Sequence, residues 1–402
     1  MRVVHVTYTD FEGRRFNGFD LRQPMMNVGV DSQMLVWEKQ TVEPWVSTIL
    51  PGSIRHKVKG GLEAIESAYS LQSMLYPFPL AMMANDVFRL ADVAHYQMIH
   101  NSFYSLRCLP LLTKKKPTVW SLHDPWPLTG HCIHPYDCHR WETGCGECDD
   151  LGSPKKMRGD NTHRMWGFKK QMYARSEFEI VVASEWMEER VHRSPLMEGK
   201  RVHRIPIGVD LERFKPQTHS SRKDTPGSVF TLMLRASSIR FKGLEYIKRI
   251  VGALPKKTKF RLLCIDEKGL LNDFKERHEV VDLGRVDDAA LIAAYQQADV
   301  FLMPSTAESY GMMAVEAAAC GVPTVCLKGT AVEEVVSPSG LAFERNDVDS
   351  AIDFIVDLAH SDRRLAAARE KARASAEGRY DIKEEAKTLE RLYEEVAEKK
   401  GR

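Results

Sequence analysis

The feature that most limits what this chain can fold into is an alternation that runs almost its whole length. Short β-branched runs alternate with segments of helical period. Val3–Thr7, Asp31–Trp37, Val93–Tyr96, Thr118–Leu122, Ile180–Ala183 and Val202–Ile205 are nearly continuous apolar stretches, as parallel strands buried on both faces require. Leu62–Leu75 and Thr162–Arg175 are long enough for crossover helices. The pattern pauses at PIGVDLERFKPQTHSSRKDTPGS, which starts at Pro206 and is rich in Pro, Gly, Ser and charge. It then resumes with Val229–Leu234, Arg261–Ile265, Val280–Leu283, Val300–Met303 and Thr324–Leu327. Two doubly wound α/β domains are predicted, without a close sequence repeat between them. A length of 402 residues suits two domains at about 150 residues each.

The last segment, DIKEEAKTLERLYEEVAEKK, predicts an amphipathic helix with Ile382, Ala386, Leu389, Tyr393 and Val396 on one stripe. A stripe this narrow fits docking on a protein surface. The expected division is 1–206 as first domain, with a Cys-rich insertion at 131–149, then a linker at 207–228. A second domain follows over 229–379, and a helix over 380–402 returns to the first.

Composition narrows the function classes. Lys+Arg at 57 against Asp+Glu at 55 leaves a formal charge of +2, without the basic excess of a nucleic-acid binder. No apolar run approaches the roughly 18 residues of a spanning helix, and the start MRVVHVTYTD lacks a signal-peptide core. The expected location is cytoplasmic. LQSMLYPFPLAMM and the basic run Lys114–Lys116 suggest peripheral contact with the inner membrane face, weighed against a core segment and a solvated charge run.

The strongest local signal is ADVFLMPSTAESYGMMAVEAAACGVPTV, from Ala298 to Val325. A strand ends at Pro304, a polar loop carries Glu308, and Glu316 follows on the next helix. Gly311 sits near the helix start, where backbone N–H groups and the dipole favour a phosphate or a hydroxyl. A carboxylate in such a crevice can accept two hydrogen bonds from the diol of a ribose. Taken alone, two glutamates at this spacing read more simply as one surface and one capping residue.

With its context, this stretch closely resembles the donor-sugar signature of family 4 retaining glycosyltransferases of GT-B fold. PIGVDLERFKP resembles that family's interdomain segment, with Ile207 where Asn is usual, and RASSIRFKGLEYI resembles its Arg…Lys-Gly element. The resemblance implies two Rossmann-like domains facing across a cleft, with the C-terminal helix crossing back to the first. It implies transfer of a sugar, with retention and without a catalytic metal, from a nucleotide-diphosphate sugar to a hydroxyl of a glycan or lipid-linked acceptor. Lys242 and an arginine would stabilise the leaving phosphate; Arg235 is taken as that arginine, with Arg240 the alternative. Glu308 would contact the donor sugar, Glu316 the ribose, and the backbone at Gly311, Met312 and Met313 sugar hydroxyls or phosphate.

In the first domain His123 ends a strand, where open α/β sheets place ligands, and the family often has a His there that reaches sugar or acceptor. Asp124 would orient His123 or cap the next turn. In the loop TYTDFEGRRFNGFDLRQ the resemblance implies that Gly18 approaches the donor phosphate or the acceptor, with an ordinary turn as the alternative.

Cys132, Cys138, Cys145 and Cys148 crowd into HDPWPLTGHCIHPYDCHRWETGCGECDD, a spacing that suits a structural zinc, with His131, His134 and His139 as substitute ligands. A disulfide or plain thiols are the alternatives. Cys108, Cys264, Cys320 and Cys326, set among apolar residues, read as buried thiols. The HD-x-W-x-x-TG-x-C run resembles a subset of bacterial family 4 enzymes of surface polysaccharide (O-antigen, capsule or exopolysaccharide) synthesis. Rival readings are another GT-B activity (sugar-nucleotide epimerase, hydrolase or phosphorylase) or a non-catalytic partner subunit docking through the Cys cluster. The pyridoxal-lysine motif expected of a phosphorylase is not found, and intact Lys242, Glu308 and Glu316 weigh against the subunit.

Overall fold

The structure, a computed structural model, describes residues 1–100, 102–152, 156–217, 229–337 and 339–401. The chain divides into two compact units, Met1–Ile207 with Lys383–Arg402, and Gly208–Ile382. The first holds seven strands: β1 (Arg2–Thr9), β2 (Asp31–Glu38), β3 (Val46–Thr48), β4 (Val93–Tyr96), β5 (Thr118–Ser121), β6 (Glu179–Val182) and β7 (Val202–Arg204). They pair in the order β3-β2-β1-β4-β5-β6-β7, each pair parallel.

The second unit holds β8 (Phe230–Ala236), β9 (Phe260–Asp266), β10 (Glu279–Gly284), β11 (Val300–Met303), β12 (Thr324–Leu327) and β13 (Leu341–Phe343). Their order is β10-β9-β8-β11-β12-β13, again all parallel. Each sheet reverses its winding once, between β1 and β4 and between β8 and β11. Open α/β sheets bind ligands outside the carboxyl ends of strands at such points.

The apolar runs became strands because every residue of β4, β5, β11 and β12 is buried. The two strands without a sequence signal, β3 and β13, have three residues each and lie at sheet edges, too short to carry a period. The helix expected at Leu62–Leu75 runs instead over Ile54–Ala68. The buried Glu66 explains its stop. Its carboxylate accepts from the backbone N–H groups of Ser73, Met74 and Leu75 at 3.1, 2.7 and 2.9 Å, so the chain folds back over the helix end. Beyond it Met74, Tyr76, Phe78 and Met82 fill the core, while Leu80 and Met83 stay exposed. Lys116 donates to the Arg89 carbonyl at 3.1 Å and to that of Ala91. Among the described residues, no helix is long and apolar enough to cross a membrane.

Residues 208–217 are packed into the second unit. Val209 bridges Asp381, Phe214 is buried, and Arg373 donates to the Phe214 carbonyl at 2.8 Å. Residues 218–228 of the anticipated linker lie outside the described residues. The C-terminal helix Ile382–Gly401 buries Ile382, Ala386, Leu389, Tyr393 and Val396, and adds Leu392 to the stripe. In the first unit the Tyr393 hydroxyl lies 2.6 Å from His95 Nδ1.

Burial of histidines ties this unit's stability to pH. His5 and His123 are both pushed down from 6.5 to about 4, chiefly by burial. The unfolded chain therefore binds protons that the folded chain refuses as pH falls from 6.5 towards 4, and stability is lost over that window. A thermal melt should show a lower midpoint at pH 5 than at pH 7. Equal midpoints would mean that these rings are not held neutral.

Candidate active site

Two loops of the second unit meet at the carboxyl ends of β8 and β11. After β8 the chain makes a single turn, Arg240–Lys242, and passes through Gly243 into the helix Leu244–Ala253. Gly243 has φ +72°, and a Cβ there would lie 1.9 Å from the Pro304 carbonyl oxygen at the end of β11. Only glycine allows this approach, and it sets Lys242 beside the loop after β11. Thr306 N–H donates to the Phe241 carbonyl at 2.9 Å, joining the two loops. Lys242 Nζ then lies 3.0 Å from Glu308 Oε2, with side chains 11% and 21% exposed. This ion pair is largely shielded yet still reachable.

Gly311 caps the helix Met312–Ala319 with φ +103°, and a Cβ there would meet Val332 Cγ2 at 3.0 Å. Met312 and Met313 form the first turn of that helix. Glu316, on the same helix, is 3% exposed. Its Oε2 lies 3.1 Å from the Tyr295 hydroxyl, which is also 3.1 Å from the Met313 carbonyl. Arg235, at the end of β8, is 3.0 Å from Asp266 at the end of β9, so this arginine is held on the β9 side. The structure thus brings Lys242 together with Glu308, and sets Arg235 against Asp266.

In the first unit a small pocket at the ends of β4, β5 and β6 is lined by Phe16, His95, Gln97, Ser121, His123 and Glu385, among others. His123 Nε2 lies 2.7 Å from Gln97 Oε1, and the Phe16 ring centroid is 5.0 Å from that of His123. Gly18 has φ +97°, and a Cβ there would lie 2.4 Å from His5 Nδ1, so its role is to let the first βα loop close over β1. Asp124 accepts from Trp126 N–H at 2.8 Å, capping the next turn, and faces His100 at 3.5 Å.

Sequence reasoning missed Tyr295, Asp266, Phe16 and Gln97. Gln97 alone had a signal, as a polar residue directly after an apolar strand. The others act through contacts that no local spacing encodes.

The cysteines fall into two groups. Cys108, Cys264, Cys320 and Cys326 are buried thiols. Of the other four, Cys138 is exposed and the rest half-buried. Burial, and then the neighbouring thiols, push Cys132 up to about 12. Cys145 accepts from Gly130 N–H at 3.2 Å. Among the described residues, no three of His, Cys, Asp or Glu are grouped so as to hold one metal ion.

Comparison with known proteins places this geometry. Residues 223–375 match the model of the glycosyl transferases group 1 family. A putative colanic acid biosynthesis glycosyl transferase of Escherichia coli K12 is 24% identical over 62% of this chain and 62% of its own length. The chain thus spans under two thirds of that relative. Among solved structures, sucrose-phosphate synthase from Thermosynechococcus elongatus superposes with a TM-score of 0.68 at 16% identity, covering 98% of this chain and 99% of that one. Anabaena HepE, solved with UDP and glucose, gives 0.63 at 14% identity over 98% and 100%. Residues 223–375, within the second unit, thus match the glycosyl transferases group 1 family, and the chain has the GT-B fold of its structural neighbours.

Proposed function

We propose that the chain moves a sugar, with retention, from a nucleotide-diphosphate sugar to a hydroxyl of a glycan or lipid-linked acceptor in bacterial surface polysaccharide synthesis. The observation that carries this reading is the Lys242–Glu308 pair, 3.0 Å apart at the winding reversal of the second sheet. Cleavage of a glycosyl phosphate adds negative charge on the departing diphosphate, and a fixed ammonium stabilises charge that develops there. Glu308 would release Lys242 to the diphosphate and take up sugar hydroxyls, while the backbone at Gly311–Met313 would meet the donor's polar edge. No side chain here is assigned as a covalent nucleophile, so a same-face route assisted by the leaving group is the mechanism proposed. The nucleotide donor is further supported by the UDP held in the Anabaena relative, and the polysaccharide pathway by the colanic acid relative.

Glu316 is proposed to accept from the donor ribose, with Tyr295 steadying Oε2. Glu316→Ala should weaken nucleotide binding by about 1.5–3 kcal/mol, roughly ten- to a hundredfold. Calorimetric titration with nucleoside diphosphates checks it, and unchanged affinity would remove the ribose assignment. A panel of nucleotide sugars screened by thermal shift tests the reading as a whole. Stabilisation by none of them would overturn it.

A structural zinc at Cys132, Cys138, Cys145 and Cys148 stands as a separate proposal, supported by the thiol donor set and its spacing. The thiols as placed are not gathered on one point, so the ion would have to draw them in. Elemental analysis of protein purified without chelator should find about one zinc per chain, as four-thiolate coordination requires. Metal-free protein with an unchanged melting point would leave plain thiols.

A further inference from the structure

The pocket of the first unit contains a hydrogen-bonded relay that the proposed mechanism does not use. Gln97 follows β4 and is 3% exposed. Its backbone is pinned on both sides, since its N–H donates to the Val6 carbonyl at 2.9 Å and its carbonyl accepts from Trp120 Nε1 at 3.3 Å. Its side chain spans two histidines. Oε1 lies 2.7 Å from His123 Nε2, and Nε2 lies 3.1 Å from His5 Nδ1. An amide has one accepting and one donating end, so it cannot serve both rings alike. With the oxygen on His123, that ring must carry its proton on Nε2 and keep its lone pair on Nδ1, while His5 accepts at Nδ1. The first βα loop passes close to this ring, since a Cβ at Gly18 would lie 2.4 Å from His5 Nδ1.

The geometry points to Gln97 as a positioning residue that holds His123 in a single tautomer, with the Nδ1 lone pair available to a sugar or acceptor hydroxyl. This rests on the reading that His123 faces substrate. A proton fixed on Nε2 makes His123 an acceptor at Nδ1, able to orient a hydroxyl whose proton passes to the leaving diphosphate as the new bond forms. Other titratable groups around the ring are His95 on β4, His100 and Asp124 on the loops, and Glu385 from the C-terminal helix. Burial keeps both linked histidines neutral, as a fixed tautomer needs.

The test uses the whole chain labelled with 15N at histidine, compared with Gln97→Leu and Gln97→Glu. The parent protein should show His123 as a single Nε2–H tautomer, and Gln97→Leu should show a mixture. Turnover should fall roughly ten- to a hundredfold, the range seen when the outer partner of an oriented histidine is removed, with nucleotide affinity unchanged. Gln97→Glu retains the acceptor and adds charge, so it should restore the Nε2–H form and move the acid limb of the pH profile upward. A melting curve for each variant separates these effects from loss of fold, and Gln97→Glu keeps the test open if Gln97→Leu does not fold. A Nδ1–H tautomer in the parent, or an unaltered one in Gln97→Leu, overturns the proposal. A changed tautomer with full turnover overturns it as well. Full activity in His123→Ala would instead remove the substrate-facing reading of His123, whatever the tautomer.

Discussion

Lys242→Ala should lower kcat by about a hundredfold to a thousandfold, the cost typical of removing one preorganised group that stabilises developing charge. The argument is geometric. Gly243 brings the turn Arg240–Lys242 into contact with Pro304, and the Thr306–Phe241 backbone bond fixes the two loops. Lys242 is therefore held before substrate arrives. The charge it faces in the free enzyme is Glu308, 3.0 Å away and partly screened by solvent. Removing Lys242 leaves the Glu308 carboxylate, still 21% exposed, without this partner, so the melting point should fall but by less than the loss of turnover implies. A diphosphate that gains charge on bond cleavage calls on the ammonium far more strongly than Glu308 does. Nucleotide affinity should fall by less than kcat, because the interaction grows in the transition state. Steady-state kinetics with a melting curve checks both halves. Equal turnover in variant and parent would take Lys242 out of the chemistry.

The same two loops show how much of the site was legible. Lys242 and Glu308 stand out because their stretches resemble a family signature, and of these positions only Gly243 answers to a backbone need, the close approach of Pro304. Glu316 stands out by the resemblance of its stretch, not by spacing alone, and its near-complete burial and its contact with Tyr295 could not be read. Tyr295 lies on the preceding helix, and its reach depends on how that helix packs. Arg235 shows the limit most clearly. Its resemblance to the family's Arg…Lys-Gly element suggests phosphate chemistry, and only the pairing of β8 with β9 sets it against Asp266. The central strands were visible because burial on both faces forces unbroken apolar runs, whereas β3 and β13 have too few residues to show one. The helix Ile54–Ala68 was misplaced because Glu66, a residue with good helix propensity, spends its carboxylate on the turn that ends the helix.

Removal of the C-terminal helix should have the largest effect on stability of any change considered. Leu389, Leu392, Tyr393 and Val396 are each at most 6% exposed in the folded chain. Full burial of a large apolar side chain contributes about 1.5–3 kcal/mol, so these four together represent about 6–12 kcal/mol. A whole domain has about 5–15 kcal/mol in hand. The groove they cover in the first unit loses its lid as well, and His95 loses the Tyr393 hydroxyl at 2.6 Å. Freed chain entropy offsets part of this, since a detached helix need no longer be ordered. A chain ending at Asp381 should therefore give a first unit that melts far below the parent or aggregates on expression. The second unit keeps its own core and the bond from Val209 N–H to the Tyr380 carbonyl at 2.8 Å. Nucleotide binding assigned to Lys242 and Glu316 should outlast the loss, wherever the truncated chain stays in solution. Leu389→Ala probes the same packing gently. A cost of about 2–5 kcal/mol should lower the melting midpoint by roughly 4–20 °C. A truncated chain that melts like the parent would show that the helix is not part of the first unit's core.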